Sequence, residues 1–198
     1  MSRSISASQT SIDRPSPGSE GLWTFVFIDM MIFLLIFLTF MGERLGHLAQ
    51  YTQAQGQLNE LFGLANTLVL LTSSWLVVEA VQATRRGQPQ RVSQLLGGAL
   101  LLGAVFSVNK GIEYAHKFEV GITPASNPFF SFYFFITFAH FLHVLAGMVC
   151  IFHFRRRARL GVGSAEYLTG LENVGLFWHY VDVLWIFIFP MLYLMGRL

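Results

Sequence analysis

Cysteine is nearly absent from this sequence: Cys150 is the single thiol among 198 residues. That excludes an intrachain disulfide and any multi-cysteine zinc or iron–sulfur centre. Charge is scarce too, with 12% charged residues against 54% hydrophobic and 15% aromatic. Those proportions fall outside the range of a soluble domain and describe an integral membrane protein. The first twenty residues, rich in Ser, Pro and Gly, lack an apolar signal core. The run that follows lacks a small-residue cleavage site, so it reads as an uncleaved anchor behind a flexible tail over 1–20. No nucleic acid partner is expected.

Five long apolar runs are present: Leu22 to Met41, Leu61 to Val81, Val92 to Ile112, Phe129 to Phe154 and Val174 to Met195. About twenty residues of helix cover the ~30 Å hydrocarbon core. The expected fold class is therefore all-α, an integral bundle of five transmembrane helices over residues 21–198. Basic residues set its orientation. Arg3 and Arg14 of the tail, Arg85, Arg86 and Arg91 of the second connection, and Arg155, Arg156, Arg157 and Arg159 of the fourth fall on one side. Only Arg44, Lys110, Lys117 and Arg197 fall on the other, so the N-terminus is expected in the cytoplasm and the C-terminus outside.

Ionisable residues interrupt this apolar pattern. Each costs at least about 2.5–3.5 kcal/mol at the centre of a bilayer, so each normally faces protein or water. Asp29 lies about 10 Å into the first run at helical rise. His140 and His143 fall near the middle of the fourth run, and His179 and Asp182 lie within the fifth. Together they form one layer near the bilayer centre. Thr137, His140, His143 and Gly147 are spaced to share one helix face, as are Glu172, His179 and Asp182 with Trp178 and Trp185. Turning the two faces together would give a buried hydrogen-bond network locking the last helix pair.

Asn66 and Glu79 are secondary polar insertions in the second run, with Glu79 near enough to the cytoplasmic end to meet water or Arg85. Lys110 and Glu113, three apart at the outer end of the third run, are expected to form a solvated or interfacial pair. Pro190 is expected to bend the outer part of the last helix. Small residues on the third run (Gly97, Gly98, Gly103) and the second (Thr72, Ser73, Ser74) point to tight helix packing. Glu113 and His116 have the Glu-x-x-His spacing of di-iron bundles, but such a site needs two of these motifs and two more glutamates. No metal site and no catalytic residue is assigned. Two readings of the layer remain from the residues alone. One is a structural seam; the other is the site of an independent membrane enzyme or proton-coupled carrier.

A family resemblance bears on that choice. The segment FWHYVDVLW from Phe177 to Trp185, preceded by Glu172, resembles the closing helix of subunit III of the haem-copper oxidases. The stretch from Phe138 to Gly147 resembles that family's H-x-x-H-V-x-x-G helix. Leu64-Ala-Asn66-Thr67 resembles its L-N-T motif, Glu113-Tyr114 its E-Y pair, and Gly21-Leu22-Trp23 with Asp29 the helix bearing its intramembrane carboxylate. Position 29 is Asp where mitochondrial-type members have Glu, and the resemblance does not include the two helices that open the seven-helix form. Within the family, Val26-Phe-Ile-Asp29-Met30, the segment from Asn109 to Tyr114 and that from Phe189 to Tyr193 look most like the NorE-type branch, whose members are associated with nitric oxide reductase.

The resemblance implies a non-redox accessory subunit in the bacterial cytoplasmic membrane. It would pack on a subunit I-like catalytic partner of a nitric oxide reductase or a cytochrome c or quinol oxidase, with a c-type cytochrome subunit as a further partner. Haem, with copper or non-haem iron, would belong to that partner. Bound phospholipid and assistance to proton uptake are the implied auxiliary roles, with Asp29 the residue for the latter.

Overall fold

The computed structural model describes residues 18–196. Most of the expected tail, with Arg3 and Arg14, and Arg197 at the other end lie outside the described residues. Six α-helices follow in order: α1 (Glu20–Gly46), α2 (Leu48–Gln55), α3 (Glu60–Arg85), α4 (Pro89–Glu119), α5 (Pro128–Ala158) and α6 (Ala165–Phe189). A π-turn, Pro190–Leu194, continues α6. All except α2 are long and apolar enough to cross a membrane. Among the described residues there is no strand.

Every span is longer than its apolar run, because polar caps and amphipathic turns extend it. The Ser19, Asn59, Asn127 and Ser164 side chains accept the backbone N–H of Leu22, Phe62, Phe130 and Tyr167 respectively, filling donors that a helix start leaves open. The largest difference is in α6, which begins at Ala165 rather than near Val174. Its first turns carry Glu166, Thr169 and Glu172, so hydrophobicity alone misses them, yet Tyr167, Leu171 and Val174 form a buried stripe at helical spacing. His179 and Asp182 therefore sit at the middle of a 30-residue span, deeper than the run alone implied.

Helix α6 is the most buried span and α1 the least. α3 and α4 form the tightest pair. Gly87, at φ +66°, closes the turn between them, a backbone region where a Cβ is costly. The Ser73 hydroxyl donates to the Ala99 carbonyl at 3.0 Å. A Cβ on Gly98 would stand 3.0 Å from Leu76 Cδ1. This is the small-residue contact expected of these two helices. Against α6, Gly147 of α5 leaves room for the Trp178 ring, which a Cβ would approach to 2.5 Å.

α2 is an additional short helix between the first two spans. Tyr51 packs on Phe40 and Phe129, and burial together with the Glu43 carboxylate raises its phenol above the usual range. At Pro190 the α-helical hydrogen bonding gives way to the π-turn, and carbonyls beyond it find donors elsewhere. Gln55 Nε2 donates to Met191 O at 2.9 Å, and Arg44 donates to Met195 O at 2.7 Å. The ends of α1 and α2 thereby fasten the end of the last helix.

Candidate functional site

Val26, Asp29, Phe33, Ile36 and Phe40 recur at steps of three and four along α1 and make its inward stripe. Asp29 thus takes a position that would otherwise hold a hydrophobe. Its Oδ2 accepts the Tyr180 hydroxyl of α6 at 2.5 Å and lies 3.3 Å from His143 Nε2 of α5. The other ring nitrogen, His143 Nδ1, is 2.8 Å from the Ala139 carbonyl. A carbonyl only accepts, so Nδ1 carries hydrogen and Nε2 is left facing the carboxylate. Three helices meet at this polar contact, framed by Phe25, Phe33 and Phe177 around the imidazole.

The remaining members of the layer do not join this cluster. His179 Nδ1 pairs with the Ser74 hydroxyl of α3. Asp182, one turn further along α6, lies beside the same hydroxyl but neither of its oxygens makes a hydrogen bond. His140 is fully buried, its ring against Trp185 at 5.1 Å between centroids and edge-on to Phe106 at 5.7 Å. The face shared by α5 and α6 is therefore not one network. His143 turns to α1, His179 to α3, and His140 into an aromatic slot. Glu172 lies nearer the start of α6 and pairs with Arg85 at 2.8 Å. Arg85 is thus committed to Glu172 and not to Glu79, which is half-buried on α3.

The pair Lys110 and Glu113 differs most from expectation. The two bond at 2.9 Å, with side-chain exposures of 1% and 9%, so they are buried and not solvated. Tyr133 and Tyr193 hydroxyls donate to Glu113 Oε1 at 2.8 and 2.7 Å. The ammonium also reaches Tyr193 Oη at 3.1 Å and sits 5.4 Å from the Trp185 ring centroid. The reason is geometric. α4 runs on to Glu119, placing this pair inside the bundle, and the π-turn after Pro190 brings Tyr193 over it. Tyr133 was legible, since it continues the buried stripe of Thr137, His140, Val144, Gly147 and Ile151. Tyr193 was not, because its direction depends on the π-turn. Asn66 accepts from Asn109 Nδ2 at 2.8 Å, a second interhelical polar contact between α3 and α4.

The Glu-x-x-His half-motif is split, with Glu113 held by Lys110 while His116 is exposed beside Glu119. Among the described residues no three His, Cys, Asp or Glu side chains converge as a metal-ligand set.

The arrangement is an all-helical membrane bundle in which a carboxylate on the first helix meets a histidine of the H-x-x-H helix and a tyrosine of the last. Residues 18–197 match the family model for cytochrome c oxidase subunit III. The chain belongs to this family. It is 30% identical to cytochrome c oxidase subunit 3 of Corynebacterium diphtheriae over 92% of this chain and 90% of that protein. It is 29% identical to cytochrome bo(3) ubiquinol oxidase subunit 3 of Pseudomonas aeruginosa over 90% and 85%. With the Triticum aestivum subunit 3 the identity is 32% over 67% of this chain and 49% of that one. None of these three subunit III proteins is named for nitric oxide reductase, so the branch expected within the family is not shown.

Proposed function

We propose that this subunit III protein is a non-redox accessory subunit of a haem-copper respiratory complex, seated in the bacterial cytoplasmic membrane beside a subunit I-like catalytic partner. The observation that carries this reading is the match over residues 18–197 to the subunit III family. Haem and any copper or non-haem iron then belong to the partner, and this chain contributes packing and the three-helix polar contact of Asp29, His143 and Tyr180. The names of the bacterial relatives, a cytochrome c oxidase subunit and a ubiquinol oxidase subunit, support an oxygen-reducing partner. The NorE-like segments support a nitric oxide reductase, with a c-type cytochrome subunit beside it.

The N-terminal side is assigned to the cytoplasm. Arg85, Arg91, Arg155 and Arg157 gather at the membrane end where α1 and α6 begin, and such clusters favour the cytoplasmic face. Specific phospholipid contact with those arginines belongs to the same proposal. The test is recovery of the tagged chain from native membranes under mild detergent. Co-elution with a haem-bearing subunit, identified by mass spectrometry as oxidase or reductase, is expected. Recovery of the chain alone, with its own haem or stoichiometric iron, would favour the independent enzyme instead.

A further inference from the structure

Asp182 is only 4% exposed, yet among the described residues neither of its oxygens has a hydrogen-bond partner. Asp29 has Tyr180, Glu172 has Arg85 and Glu113 has Lys110. An ionised carboxylate stripped of water and of donors is costly to hold in hydrocarbon, so this position calls for an account that packing does not supply.

Its surroundings offer one. The Ser74 hydroxyl stands beside Asp182 and is hydrogen bonded to His179 Nδ1. His179 itself is half-buried and forms part of the wall of a groove between α3 and α6 of about 260 Å³. That groove also runs past Gln82, Arg85 and Glu172, which mark its cytoplasmic-side mouth. A line of exchangeable groups therefore leads from the membrane edge to a buried carboxyl: groove, imidazole, hydroxyl, acid.

We infer that His179, Ser74 and Asp182 form a proton relay that loads and unloads Asp182 from the α3–α6 groove. Ser74 has a single hydrogen, which fixes the alternatives. With the Ser74 hydrogen donated to His179 Nδ1, the proton rests on Asp182 and points to Ser74 Oγ. With Nδ1 protonated, the Ser74 hydrogen turns to an ionised Asp182. A proton arriving at His179 Nε2 from the groove is matched by transfer of the Nδ1 proton to Ser74 Oγ and of the Ser74 proton to an Asp182 oxygen. One proton moves inward, no electron moves, and no other reactant is needed. Other titratable groups near α6 are otherwise engaged: Asp29 of α1 with Tyr180 and with His143 of α5, His140 of α5 against Trp185, and Arg85 of α3 with Glu172. Glu79 of α3 is half-buried near the mouth.

The relay goes beyond the docking reading and is tested on the full chain alone in lipid nanodiscs, so its failure leaves that reading intact. Infrared spectra would show a protonated-carboxyl stretching band that Asp182→Asn removes and Asp29→Asn keeps. On transfer to heavy water this band shifts by deuteration, and the relay requires the shift to be slower by about tenfold or more in Ser74→Ala and in His179→Gln. Absence of any such band lost in Asp182→Asn would overturn the proposal. So would deuteration at an unchanged rate in whichever of the two relay variants folds.

Discussion

Tyr180 and Asp29 meet at 2.5 Å, hydroxyl to carboxylate, across the contact between the last helix and the first. Helix α1 is the least buried span, so this bond and the His143 contact are its principal polar attachments at mid-membrane. Tyr180→Phe removes the donor without removing the ring. The expected result is a bundle that folds but holds α1 less firmly, losing about 1–3 kcal/mol for the stranded acceptor. Faster proteolysis in the connection after α1 would report it.

Asp29→Asn keeps the shape of the same contact and removes the charge. Assembly is expected to persist, because an amide still accepts from Tyr180, while turnover of the partner complex slows or changes its pH dependence. Unchanged turnover at every pH in a fully assembled complex would exclude a proton role for Asp29.

Lys110 and Glu113 give a larger effect. Lys110→Met leaves a buried carboxylate with two tyrosine donors and no cation, and the expected destabilisation is about 3–5 kcal/mol. The Lys110→Met, Glu113→Leu double variant strands no charge, so it should recover much of the lost yield. Size-exclusion profiles of the three proteins in detergent distinguish this from a simple surface pair, for which the single change would cost almost nothing. Arg85→Ala is the internal comparison. Arg85 is 62% exposed where it pairs with Glu172, and its loss should cost about 0–1 kcal/mol.

Gly147→Ala tests packing. The added methyl would stand 2.5 Å from the Trp178 ring, inside any normal contact, and Trp178 is fully buried with no room to withdraw. A cost of about 1–3 kcal/mol is expected, read as a lower thermal transition of the detergent-solubilised chain.

The sequence was most informative where a single physical demand acted. Five runs had to be able to cross hydrocarbon, and five helices are long and apolar enough to do so. Helical depth in the sequence groups Asp29, His140, His143, His179 and Asp182 together, and the structure joins Asp29 to His143. The division of that group was not legible. Helical spacing put His140 and His143 on one face, but adjacent positions on a face diverge in direction, and the partners they meet, Trp185 and Asp29, come from different helices. Lys110 and Glu113 were misplaced for a related reason. Charge at the end of an apolar run resembles an interface until the helix is seen to continue to Glu119. Short amphipathic pieces such as α2, and the early turns of α6, carry too little hydrophobicity to be seen as apolar runs.

The central claim is that this chain supports redox chemistry without holding a redox centre. The most direct measurement is the visible absorption spectrum and metal content, per catalytic subunit, of the partner complex purified from cells lacking this chain. The account predicts a full complement of haem and metal in a complex of lower yield. Loss of a haem band or of a stoichiometric metal with this chain would contradict it.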